Sequence, residues 1–174
     1  MVDWMCEVLN IAFKHTCTDQ TFFLAVSILD RYLMALEKKG QSFKSAELHV
    51  TGVACMFIAS KYEDIHPLHL KTVVAKIGHD KIAPQPILAR EQDILQTLGF
   101  QIGGTSPIEF IGSFIESSPL LRDHPDKELL TTIAIYLAKM SLHHGDLYTL
   151  ASSQIAASSI FVANKIYEQM VLIS

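Results

Sequence analysis

Val53-Ala54-Cys55-Met56-Phe57-Ile58-Ala59 is a run of seven apolar residues, closed by Ser60-Lys61-Tyr62-Glu63-Asp64. With its approach from Ser45 it predicts a helix over 45–64, too long for a strand and without period-two alternation. A helix that is apolar on every side has to be enclosed by other helices. This segment therefore predicts an all-α bundle, and the flanking sequence supplies the neighbours. Upstream, Trp4, Val8 and Ile11 recur at i, i+4 and i+7 and predict a helix over 2–14. It has no cap before it, which raises the expectation of further sequence upstream. After a cap at Thr18 or Asp19, Phe22, Val26, Leu29, Leu33 and Leu36 form a stripe that Phe23, Ala25, Ile28 and Tyr32 widen until it is nearly all round. Lys38-Lys39-Gly40 ends it, with cations at the negative end of the helix dipole and then glycine. Downstream, a helix is predicted over 67–77 with Pro67 in its first turn, and another after Pro84 and Pro86 that ends at Gly99.

Gly99 to Ser106 reads as the one linker. Ser106-Pro107-Ile108-Glu109 then opens a new helix as a capping box, with Ser at N-cap, Pro at N1 and Glu at N3. The same Ser-Pro pair also reads as a proline-directed phosphorylation site; capping is preferred because it accounts for three residues at once. Further helices are predicted to 118, over 126–143 and over 150–170. The last is small and apolar through Ile155–Ala163 and is expected to be uncovered on one side, a patch that invites association.

The chain has 174 residues, enough for one large domain or two small ones. Its apolar fraction of 49% excludes a disordered chain, and 18% charged residues is low for a protein that shares no surface with a partner. A net charge of −4 argues against binding nucleic acid or an anionic membrane by charge neutralisation. No apolar run is long enough to span a bilayer. Three scattered cysteines, Cys6, Cys17 and Cys55, suit a reducing compartment rather than a disulfide framework or a thiolate metal site. His66 with His69 and His143 with His144 have no third ligand at usable spacing, so no metal is expected. No phosphate-binding, metalloprotease or nucleophile-elbow motif occurs, and no cofactor is expected.

Two ionisable residues stand in apolar stripes. At 100° per residue Glu91 falls among Ile87, Ile94, Leu95 and Leu98, and Lys61 falls among Val50, Phe57, Ala54 and Ile58. Each would cost several kcal/mol if buried alone. They are therefore expected to pair with each other as an internal register pin, or to form a polar clamp at the edge of an apolar docking face.

Val2-Asp3-Trp4, Leu24-Ala25-Val26, Asp30-Arg31-Tyr32-Leu33, Gly52-Val53-Ala54 and Ile58-Ala59-Ser60-Lys61-Tyr62-Glu63-Asp64-Ile65 resemble the cyclin box, as does Glu91 with Leu95, Leu98 and Phe100. The likeness is to mitotic cyclins of the A or B type. It implies tandem all-α cyclin folds: a complete five-helix bundle over 1–102, and over 107–174 a second fold truncated after about three helices. It implies a regulatory subunit, not an enzyme, that binds and activates a cyclin-dependent kinase in the nucleus and/or cytoplasm. A cyclin-fold scaffold without kinase activation is the alternative. The resemblance assigns kinase contact to Lys61, Tyr62, Glu91, Leu95, Phe100 and Ile102. It assigns a docking groove for Arg-x-Leu substrate motifs to Met1, Trp4, Glu7 and Leu48, with His49 where the family has Gln. Of the groove's Met-Arg-Ala-Ile-Leu run only Met1 is present, so weak docking is expected. In the family the Arg of that run pairs with the Asp matching Asp30, so this structural Asp30 is expected to find another partner or water.

Overall fold

The computed structural model describes residues 1–13, 16–79 and 81–173, without the side chains of Ile11, Tyr148 and Ile173. The chain divides into two compact units, Met1–Gly104 and Thr105–Ser174. Both are built from helices, and no strand occurs among the described residues.

In the first unit α1 (Val2–Glu7) runs on into a π-helical turn, Val8–Ala12. α2 (Asp19–Lys38) starts where the Thr18 hydroxyl accepts a hydrogen bond from the Thr21 N–H at 3.3 Å. A 3-10 turn, Ser45–Glu47, leads into α3 (Leu48–Glu63), whose residues 51–60 are all buried. α2 and α5 (Pro84–Thr97) pack against α3, so the segment that predicted a bundle is its centre. Burial, and then the charge of Asp30, push the Cys55 thiol far above its ordinary range.

Polar side chains tie the ends of these helices together. Asp64, at the end of α3, accepts at Oδ1 from the Thr18 N–H at 3.3 Å and from Thr21 Oγ1 at 2.6 Å, capping α2 from outside. Tyr32 Oη donates to Asp93 Oδ2 at 2.5 Å. Arg90 donates to Tyr32 Oη at 2.7 Å and to Glu47 Oε2 at 2.8 Å. Burial and the bond to Asp93 hold the Tyr32 phenol up at about 12.

Prolines account for the departures from the sequence reading. Pro67 does not open a helix; α4 (Leu70–Thr72) begins three residues later and continues as a π-helical turn, Val73–Ile77. Pro84 and Pro86 lie inside the first turn of α5, where the missing N–H groups have no intrahelical acceptor to lose. Pro119 opens a short helix that periodicity does not reveal.

In the second unit α6 (Pro107–Ser117) carries the capping box. The Glu109 N–H donates to Ser106 Oγ at 3.4 Å, and the Ser106 N–H donates to Glu109 Oε2 at 3.1 Å. α7 (Pro119–Arg122) is a single turn. α8 (Lys127–Ser141) and α9 (Ser152–Ile173) pack on each other and on α6 around Ile111, Ile115, Ala134 and Ala156. Ile115, Leu121, Leu130 and Ile160 line a small pocket inside this unit. Phe161, Val162 and Leu172 lie exposed on α9.

Candidate functional site

The two ionisable residues in apolar stripes meet. Lys61, in the last turn of α3, donates from Nζ to Glu91 Oε1 on α5. The ammonium also lies 4.1 Å from the centroid of the Phe57 ring, a cation–π contact. Glu91 is buried, whereas Lys61 reaches solvent. Both charges are thus satisfied within the chain, and one end of the pair stays open at the surface.

Large apolar side chains that follow Lys61 on the chain and that close α5 are exposed. Tyr62 is 59% exposed, Ile65 92% and Phe100 69%, while Leu95 is half-buried. Backbone geometry fixes this face. α5 ends in a Schellman motif: the Phe100 N–H bonds the Leu95 carbonyl at 2.8 Å and the Gly99 N–H bonds the Gln96 carbonyl at 3.1 Å. Gly99 has φ +58°, as the motif requires, but Phe100 follows it with φ +61°, in the left-handed region that an aromatic residue seldom adopts. Arg31 holds the next two residues, donating to the Gln101 carbonyl at 2.8 Å and to the Ile102 carbonyl at 2.5 Å. The Ile102 side chain is only 6% exposed, so it packs in the core under this segment instead of lying on the face assigned to it. At Gly103 an added Cβ would stand 2.5 Å from Tyr62 Oη, so the phenol rests close on the backbone there and would have to shift to admit a side chain.

Arg31 and Gly103 are therefore the positioning residues that sequence reasoning passed over. The signal for Arg31 was available, since it is a cation on a helix apolar nearly all round. Nothing in the Gly103-Gly104 pair announced a contact with Tyr62.

Asp30 is half-buried on α2, and no hydrogen bond or ion pair reaches it from the described residues. Burial alone lifts its carboxyl to about 6. The expected replacement partner is not present among them.

The residues assigned to the docking groove come together in part. Met1 and Trp4 lie over Gly52, where an added Cβ would be 2.9 Å from Met1 Sδ and 3.3 Å from Trp4 Cζ3. The Trp4 and His49 rings stand 4.5 Å apart, tilted by 44°. Glu7 is exposed one turn beyond Trp4, and Leu48 is half-buried at the start of α3. No group of three potential metal-ligating side chains occurs among the described residues, and no described helix is long and apolar enough to cross a membrane.

Comparison with known proteins gives a consistent result. The family profile described as "Cyclin, N-terminal domain" matches residues 1–103. Cyclin-A3-1 of Oryza sativa subsp. japonica is 34% identical over 163 residues, covering 94% of this chain and 41% of that protein. G2/mitotic-specific cyclin-A of Hydra viridissima is 32% identical over 165 residues, covering 94% and 36%. The chain thus spans about two fifths of the length of the curated relatives it matches. Among solved structures, a viral cyclin from herpesvirus saimiri superposes with a TM-score of 0.78 at 23% identity, covering 93% of this chain and 66% of that one.

Proposed function

From the premise that this chain belongs to the cyclin family, we propose that it is a regulatory subunit that binds a cyclin-dependent kinase through the Lys61–Glu91 edge and the exposed Tyr62, Ile65 and Phe100 beside it. One observation carries this reading. Three large apolar side chains of the same unit are held in water, two of them within four residues of Lys61 along the chain, and the ion pair is closed on the Glu91 side and open on the Lys61 side. Such a patch is the surface a partner covers, with the polar pair setting register and the aromatics supplying buried area. Binding there acts on the kinase by differential affinity for its active arrangement: it favours the αC position in which the kinase's own Lys and Glu pair. This chain contributes surface and no catalytic group. It works in the nucleus and/or cytoplasm, where its three thiols stay reduced. The cluster of Met1, Trp4 and His49, with Glu7 and Leu48 alongside, is a second, weaker docking place for Arg-x-Leu peptides.

The test is capture of purified cyclin-dependent kinases by the chain, followed by a phosphorylation assay. Lys61→Ala and Glu91→Ala each weaken capture by about 2–4 kcal/mol while the variants stay folded. If both variants lose the fold, and refolded protein captures kinase as well as the parent does, the pair is only a register pin. If kinase is captured without activation, the chain is a scaffold.

A further inference from the structure

The chain holds two Ser-Pro pairs, Ser106-Pro107 and Ser118-Pro119, and the fold treats them in opposite ways. Ser106 is buried. Its hydroxyl accepts the Glu109 N–H, and its own N–H is bonded to the Glu109 carboxylate. A phosphoryl group there would break both bonds and set a dianion beside Glu109, so the capping box closes this pair to modification.

Ser118 joins α6 to α7 and is part-exposed, with Ser117, Pro119 and Leu120 exposed around it. Its hydroxyl caps neither helix and makes no hydrogen bond among the described residues. Its backbone is extended, with φ −97° and ψ 112°. Beyond it α7 is one helical turn, held by the Leu121, Arg122 and Asp123 N–H groups, so little structure has to open to present the segment. Proline at the next position removes the N–H that most kinases must satisfy there, which suits the proline-directed class.

We propose that Ser118 is a phosphoacceptor for a proline-directed serine/threonine kinase using ATP. Ser118 Oγ forms the new bond to the γ-phosphorus, and the bond from that phosphorus to the β–γ bridging oxygen breaks. ADP leaves, and the hydroxyl proton passes to the kinase's catalytic carboxylate. The product carries about −1.5 to −2 of charge one turn from Arg122. Arg122 at present forks onto Asp123, with Nε to Oδ1 at 3.0 Å and Nη2 to Oδ2 at 3.2 Å. The phosphate competes for that fork, and it repels Glu116, which pairs with Lys127 at the start of α8. Because Leu121 lines the pocket with Ile115, Leu130 and Ile160, a pull on α7 reaches the packing of the second unit. The site lies in the second unit and does not depend on the proposed kinase-binding reading, since any proline-directed kinase suffices.

The experiment incubates the full chain with a purified proline-directed kinase, radiolabelled ATP and magnesium. A Ser-Pro peptide in the same tube serves as the control. The chain takes up label. Ser118→Ala and Pro119→Ala lose it to background, while Ser106→Ala keeps it, with circular dichroism confirming that each is folded. Fragmentation of the phosphopeptide from the unmodified sequence places the phosphate on Ser118 without relying on any variant. Label that persists in Ser118→Ala, label that maps to Ser106, or an unlabelled chain beside a labelled control peptide each overturns the proposal.

Discussion

Replacing Asp30 with Asn should stabilise the chain at neutral pH and leave it unchanged in acid. The Asp30 carboxyl is half-buried on α2 with no bonding partner among the described residues, and burial raises it from an ordinary 3.8 to about 6. An acid whose folded-state value is raised is destabilised when ionised. Its favourable contribution is complete below 3.8, where it is neutral in both states, and is lost as the pH rises through about 6. At about 1.4 kcal/mol per pH unit the separation corresponds to about 3 kcal/mol, and residual hydration of the half-buried group reduces that to about 2. Asn resembles the neutral acid in size and has no charge to desolvate. Urea unfolding of the parent and Asp30→Asn at intervals from about pH 3.5 to 8 reads this out directly. The two curves should coincide at the acid end and separate by about 2 kcal/mol above about pH 7, the variant being the more stable. A difference independent of pH, or a variant that is less stable at neutral pH, would show that the carboxylate has a partner and refute the argument.

Arg31→Ala removes both bonds to the Gln101 and Ile102 carbonyls and should cost about 1–3 kcal/mol in urea unfolding, with kinase capture reduced as well. Arg31→Lys should recover only part of it, because a single ammonium cannot span two carbonyls as a planar fork does; full recovery would reduce Arg31 to a bare charge. An Arg-x-Leu peptide titrated by calorimetry should bind with a dissociation constant above about 100 μM, since the Trp4 ring already packs against His49, and Trp4→Ala should abolish the heat. Nanomolar binding, or binding indifferent to Trp4→Ala, contradicts that assignment.

What the sequence disclosed was what depends on local pattern. The unbroken apolar run over Val53–Ala59 demanded an enclosing bundle, and α3 is enclosed. Lys61 and Glu91, each on the wrong side of its helix, demanded a partner, and each is the other's. The Ser106–Glu109 capping box is a four-residue motif and was read complete. What escaped was either a local exception or a contact between distant residues. Proline both precedes helices and is tolerated in a first turn, so the pattern alone does not reveal that α5 includes Pro84 and Pro86. Ile102 is apolar whether it faces a partner or the core, and hydropathy does not separate the two; its burial, and the bond that Arg31 makes to its carbonyl from some 70 residues away, come from tertiary structure. The left-handed turn at Phe100 has no signature in a residue type that avoids that conformation.

That turn sets stability and binding against each other at one position. Phe100 occupies backbone space that suits glycine, at a strain of about 1 kcal/mol, and leaves most of its ring in water. By both measures the isolated chain would be better off with Gly or Asn there. A screen that selects variants for thermal resistance alone would be drawn to replace Phe100 and would discard an aromatic anchor of the proposed interface in doing so. Conversely, the strain means that a partner meets the ring already turned outward, its direction set by Gly99, Arg31 and the end of α5 before any encounter takes place.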